Sequence, residues 1–400
     1  MQVLCVAPVA EATGETLTAI SAAQDLVDNG HSVAWLVSPR ADALVPQALR
    51  AGPVLRLSRD RQQNLAIWKL VVGTPPPDLV VFADYPMFFL SGTACPLWDR
   101  EQEAEFIGDI ALSGRAVTFD HIGLTQLTSE LRLGPAPFEE LLTPSALPVG
   151  MRVLLPCPLH EPQRVEDRLG IRCRGRPGAP SLTESERATV RDLFQRSNQD
   201  HNIVLHAVPG WACQLARMLG SNFHRELVRG LIDVLPDNST IVSVNDGSLL
   251  PPSHRETVGV VNRSPLSATA FDALLGSVDL FVTDNPISTS LGRAVSSNVA
   301  SAVVNSWGDD GDVTHHDGAE YDLFPIFPRG ELQKLCVSQN NSANECFIRL
   351  DLTDRETARD TIGELLTSSP TQQRMSEARH RYNAAVQRLP SAGEAIAETL

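Results

Sequence analysis

Short apolar runs alternate with stretches of helical period from the first residues onward. Residues 3–7 are apolar throughout and stop at Pro8, the pattern of a parallel strand buried on both faces. Small residues follow, and then Leu17, Ile20, Ala23 and Val27 recur at helical spacing over 15–28. Asn29-Gly30 supplies a helix C-cap and 32–37 reads as a second strand, so this opening predicts a right-handed strand–helix–strand unit. The rhythm goes on to predict strands at 79–83 and 115–119, with a helix at 101–112 between them. Both strands run into acids: Asp84 after the first, Asp120-His121 after the second.

Residues 156–180 interrupt the alternation with prolines, glycines and Arg164, Arg168, Arg172, Arg174 and Arg176, which reads as an interdomain linker. Ser181-Leu182-Thr183-Glu184 forms a capping box and starts a helix through 196. A second alternation follows, with strands expected at 202–207, 240–244, 258–261, 280–283 and 300–305. Its helices are expected near 211–219, 225–235, 268–275 and 288–297. Residues 356–400 read as helical, with a break at Ser368-Ser369-Pro370. The expected organisation is a first doubly wound domain over 1–160, a linker over 161–180 and a second doubly wound domain over 181–370. A final helical segment, 371–400, is expected to pack back on the first domain.

Composition narrows the chemistry. The 400 residues are 42% hydrophobic and 20% charged, ordinary globular values that exclude a disordered chain. A net charge of -15 argues against nucleic acid and against an anionic membrane surface as partners. Lys69 and Lys334 are the only lysines, which leaves little room for a Schiff-base or phosphate-loop lysine. The seven cysteines are scattered and form no C-x-x-C pair, which fits reduced thiols in a cytoplasmic protein. No signal peptide or membrane-spanning run is read, and no P-loop, Gly-x-Gly-x-x-Gly or Gly-x-Ser-x-Gly motif occurs.

The strongest local signal lies in the second half. Residues 271–284 read as a helix, a tight turn and a buried strand ending in Thr283-Asp284. Asn285-Pro286-Ile287 then leads into Ser288-Thr289-Ser290-Leu291-Gly292-Arg293, the start of a helix. A helix start rich in hydroxyls, with free N–H groups and the positive end of the helix dipole, suits a phosphate. This segment resembles the donor-binding segment of the GT-B glycosyltransferases. Asn262-Arg263-Ser264-Pro265 resembles that superfamily's base-contacting loop, Gly14-Glu15 stands where many members carry Gly-His, and Asn29-Gly30-His31 matches the recurring turn into the second strand.

The resemblance implies two Rossmann-like domains facing across a cleft, and transfer of a sugar from a nucleotide-sugar donor to a small-molecule acceptor, as in antibiotic pathways. It implies metal-independent chemistry and no cofactor. Donor-binding candidates are Gly210, Asn262, Arg263, Ser288, Thr289, Ser290 and Arg293. Arg293 near the position of a ribose-binding Glu, and Asp284 in the place of a usual His, leave open a donor with an extra phosphate, such as a phosphoribosyl compound. An epimerase of sugar nucleotides and a non-catalytic nucleotide-sugar binder share the fold and stay open.

The acceptor needs a base, and in open α/β sheets ligand groups gather at the C-terminal ends of strands. Glu15, Asp120 and His121 are the catalytic candidates on that ground, with Glu11 and Asp84 beside them as acceptor-binding candidates. Asp309 and Asp310 belong to an acidic and histidine-bearing loop, 309–317, that would suit a cationic acceptor or a metal.

Overall fold

The computed structural model describes residues 1–9, 13–73, 75–86, 97, 103–121, 131–133, 140–142, 147–157, 161–162, 170–176, 178–179, 181–194, 201–208, 223–245, 252–264, 266–285, 288–304, 342–367 and 369–398. The chain divides into two compact units. Unit 1 comprises residues 1–131, 140–176 and 385–400; unit 2 comprises 132–139 and 177–384.

Unit 1 is built on a seven-stranded parallel sheet. Its strands are β1 (Gln2–Ala7), β2 (Ser32–Val37), β3 (Val54–Arg56), β4 (Leu79–Phe82), β5 (Ala116–Phe119), β8 (Arg152–Cys157) and β9 (Ile171–Arg174). The order across the sheet is β3-β2-β1-β4-β5-β8-β9. Two further short strands occur, β6 (Leu131–Leu133), whose residues 132 and 133 are counted with unit 2, and β7 (Glu140–Leu142). The helices are α1 (Thr13–Asp28), α2 (Pro39–Leu44), α3 (Arg61–Gly73) and α4 (Glu103–Leu112). The apolar strands fill both faces: Val3, Cys5, Val37 and Val81 join one core cluster, and Leu4, Val6, Leu36 and Phe82 the other.

The segment 171–174 was expected within a linker and instead supplies the last strand of this sheet. Only Cys173 of its four residues is buried, and three of its neighbours up to 176 are arginine. A short charged edge strand carries almost no apolar pattern to read.

Unit 2 repeats the design with β10 (Asn202–Ala207), β11 (Ser239–Val244), β12 (Val258–Arg263), β13 (Leu280–Thr283), β14 (Ser301–Val304) and β15 (Ile348–Leu350). Their order is β12-β11-β10-β13-β14-β15, all parallel. The helices are α5 (Glu184–Asp192), α6 (Phe223–Val234), α7 (Ala268–Leu275), α8 (Thr289–Ser296), α9 (Arg355–Leu366) and α10 (Pro370–Val386). Val204, Ile241, Leu280 and Val282 pack with Leu227, Leu231 and Ile362.

The chain ends within unit 1 as α11 (Ala392–Ala397). Ala392, Ala395 and Ile396 join the core cluster of α1 residues Ala22, Ala23 and Leu26. The approach is tight: a Cβ on Gly393 would lie 2.4 Å from Cβ of Asp25, so only glycine fits there. Arg174 of β9 holds the turn before α11, donating its amide to Pro390 O at 2.7 Å and pairing with Glu394 at 3.3 Å.

Candidate functional site

Both sheets reverse direction at their first strand. In unit 1 the chain builds outward from β1 to β3, then returns to add β4 on the other side; in unit 2, β13 is added beside β10 in the same way. The crevice at the C-terminal ends of the strands flanking such a reversal is where open α/β sheets take ligands. The candidate chemistry of each unit lies at that edge of its own sheet.

In unit 1, β1, β4 and β5 are adjacent, and Val6, Phe82 and Thr118 lie at one level. Asp84 follows β4, and Asp120 and His121 follow β5; all three are buried. The loops carrying them are tied down by amides. Ala83 N donates to Val6 O, and Asp120 N to Leu154 O, both at 2.9 Å. Tyr85 N donates to Thr118 Oγ1 at 2.9 Å. The His121 ring sits 5.9 Å from that of Phe119. Glu15 lies in the first turn of α1, where a carboxylate complements the helix dipole. Part of Glu15 reaches solvent, yet burial raises its carboxyl above the ordinary value, with a hydrogen bond to its own backbone working the other way. Glu11 lies outside the described residues.

In unit 2, hydrogen bonds hold the end of β13 and the start of α8. Thr283 Oγ1 donates to Ala207 O at 3.4 Å across the reversal point and accepts Asn285 N at 3.1 Å. Ser288 caps α8, its Oγ accepting Ser290 N at 3.1 Å. Ser288, Thr289 and Ser290 are all half-buried, while Leu291, Ala294 and Val295 seat the helix in the core. The hydroxyls of Thr289 and Ser290 thus stand at a fixed helix N-terminus.

Arg293 is placed differently from a phosphate clamp. Its Nε donates to Asp272 Oδ1 of α7 at 2.9 Å, and both side chains are under a tenth exposed, so its charge is engaged inside the unit. Asn262 and Arg263 end β12 level with Ser243 and Val244 of β11. Arg263 is exposed and its guanidinium stacks over Phe194 at 5.4 Å. Gly210, Asp309 and Asp310 lie outside the described residues. Among the described residues no group of three or more His, Cys, Asp or Glu side chains is placed to hold a metal ion.

Sequence reasoning passed over a buried polar row one strand in. His206 of β10 has Nδ1 3.2 Å from Ser243 Oγ, which also accepts Asn245 Nδ2 at 3.3 Å. The signal was a histidine breaking the apolar run 203–207 next to its C-terminal end. Thr118 and Thr283 are the corresponding interruptions in β5 and β13.

Two parallel-sheet α/β units with these strand orders, matched end to end by solved glycosyltransferases, give the chain the GT-B fold. The spinosyn forosaminyltransferase SpnP matches with a TM-score of 0.54 at 15% identity, covering 100% of this chain and 98% of its own. The spinosyn rhamnosyltransferase SpnG, solved with thymidine diphosphate, matches with a TM-score of 0.53 at 13% identity, covering 100% and 99%. SnogD, a glycosyltransferase from Streptomyces nogalater, matches with a TM-score of 0.53 at 13% identity, covering 99% and 98%. Within this fold the chain belongs to a family of unknown function, DUF6365, whose sequence model matches residues 22–315. No curated protein matches the sequence. Among the described residues no helix is long and apolar enough to cross a membrane.

Proposed function

We propose that the chain is a glycosyltransferase that moves a hexosyl or pentosyl group from a nucleotide sugar to a small-molecule acceptor. One observation carries this reading: in unit 1 the buried Asp84 follows the strand at the reversal point, with the buried Asp120 and His121 after the next strand, and in unit 2 a hydroxyl-bearing helix start follows the strand at the reversal point. SpnG has been solved with thymidine diphosphate and with spinosyn aglycone, which supports assigning a nucleoside-diphosphate donor and a small-molecule acceptor. Unit 2 takes the donor and unit 1 the acceptor.

In this reaction the acceptor hydroxyl or amine attacks the anomeric carbon and loses its proton to Glu15 or Asp120. The anomeric C–O bond breaks, and its electron pair goes to the departing diphosphate. The N-terminal amides of α8 and the hydroxyls of Thr289 and Ser290 meet that growing charge, each helix-end contact supplying about 0.3–2 kcal/mol. Neutral donors of this kind do the work without a metal ion, so turnover is expected to continue in excess chelator. The case for an extra phosphate on the donor loses its footing, because Arg293 is engaged by Asp272.

The test is a thermal-shift screen over nucleotides, nucleotide sugars and phosphoribosyl donors, followed by product analysis with the ligands that stabilise. Stabilisation by a nucleoside diphosphate, with sugar transfer to an added acceptor, is the expected result. Stabilisation with no transfer or hydrolysis identifies a binding protein, and turnover without any acceptor identifies an epimerase. Absence of any nucleotide effect removes the proposal.

A further inference from the structure

We infer that Thr118 is a positioning residue for the unit 1 site, its hydroxyl locking the loop after β4 to the end of β5 so that Asp84 is held in place relative to Asp120 and His121. The inference rests on the reading of that sheet edge as the catalytic one. Thr118 is the one polar residue in β5, and it is wholly buried. A strand buried on both faces of a parallel sheet has no need of a hydroxyl for packing, and valine would fill the same space. Backbone pairing between β4 and β5 runs as far as Phe82 and Thr118. Beyond that point the hydroxyl takes over from the ladder. Thr118 Oγ1 accepts Tyr85 N at 2.9 Å and donates to Phe119 O at 2.9 Å, so its proton and one of its two lone pairs have fixed directions.

The consequence falls on Asp84. The amide before it, Ala83 N, is held by Val6 O of β1, and the amide after it, Tyr85 N, by the Thr118 hydroxyl. The Tyr85 ring is buried edge-on against Phe82, 5.1 Å between centroids at 82°, which stops the loop from sliding. The same hydroxyl lies two residues ahead of Asp120, whose own amide is held by Leu154 O. One side chain therefore sets the spacing between the acid of one strand and the acid–histidine pair of the next.

Two substitutions separate positioning from packing. Thr118→Val keeps the shape and removes the acceptor; Thr118→Ser keeps the hydroxyl and removes a methyl. Positioning predicts that Thr118→Val lowers kcat about tenfold or more, leaves the donor KM within about twofold and moves the pH profile of kcat, while Thr118→Ser stays within about threefold of the parent. Packing predicts the reverse order, and that order overturns the inference. Equal, unchanged activity in both variants overturns it too. If Thr118→Val does not fold, Thr118→Ala against Thr118→Ser gives the same comparison, since the two differ by the hydroxyl alone. If the parent chain transfers no sugar, the glycosyltransferase reading fails on its own. The His121 ring titration followed by NMR then decides: a shift in the valine or alanine variant and none in the serine variant supports the inference, and no shift in either overturns it.

Discussion

Asp272→Asn is expected to destabilise unit 2 by about 3 kcal/mol. The perturbation leaves the Arg293 guanidinium in place and takes away the carboxylate that it donates to at 2.9 Å. The magnitude follows from burial. An exposed pair contributes about 0–1 kcal/mol, whereas breaking a buried one costs about 3–5. With side-chain exposures of 8% and 9% this pair belongs to the second class, at its lower end because neither group is wholly enclosed. At a urea slope of about 2–3 kcal/mol/M, the unfolding midpoint falls by about 1–1.5 M. Denaturation followed by circular dichroism measures this, and hydrogen exchange over α7 and α8 assigns it to unit 2. Asp272→Leu combined with Arg293→Met removes both charges and is expected to recover to within about 1 kcal/mol of the parent. The double variant also separates the two roles of Arg293, because it is expected to keep the stabilisation given by a nucleoside diphosphate. A loss below about 1 kcal/mol in Asp272→Asn would refute the burial argument, and a stable double variant that no longer responds to nucleotide would return Arg293 to the donor site.

The raised carboxyl of Glu15 has a defined sign. Burial penalises its ionised form, so the associated stability is present below the ordinary value of 4.5 and is lost as pH rises through the folded-state value. Glu15→Gln is therefore expected to melt higher than the parent at about pH 8 and to match it at about pH 4, while cutting kcat by about 10²-fold or more if Glu15 is the base. An equal melting shift at both pH values contradicts the burial account. Gly393→Val is expected to lift α11 off α1, because Cβ of Asp25 and O of Ala22 stand 2.4 Å and 3.2 Å from the added carbon. Limited proteolysis reads it, with cleavage near 387–391 appearing at protease levels that leave the parent intact.

Much of the fold was open to reading because a parallel sheet writes itself as apolar runs. Strands 32–37, 202–207 and 280–283 are found at the expected residues, and α7 matches its expected 268–275. The break expected near 368–370 is met where α9 stops at Leu366 and α10 starts at Pro370. The less apolar edges were harder. β3 and β15 have three residues each with mixed burial, and β9 buries only Cys173, so neighbours in space rather than local pattern decide their state. α3 was passed over for a similar reason, with Asn64 and Trp68 alone fully buried along it.

The candidate site was legible to the extent that it depends on strand ends. Asp84 and Asp120 could be placed because each follows an apolar run directly, and Ser288 because it opens the helix after one. What each side chain does there was not legible. Arg293 faces Asp272 on a preceding helix, 21 residues away, and Thr118 meets Tyr85 from 33 residues away. Such partnerships depend on which strands lie side by side, and spacing along the chain does not carry that information.

The split of unit 1 has a bearing on how the protein is made. Its sheet leaves the ribosome early, but the helical cap that completes its core, Ala392, Ala395 and Ile396 against α1, is translated after all of unit 2. Unit 2 is thus free to finish first, while the α1 face of the earlier unit waits with its alanines and Leu26 uncovered. Until α11 emerges, that face is apolar surface exposed to other chains, so truncation before residue 392 is expected to leave an aggregation-prone unit 1.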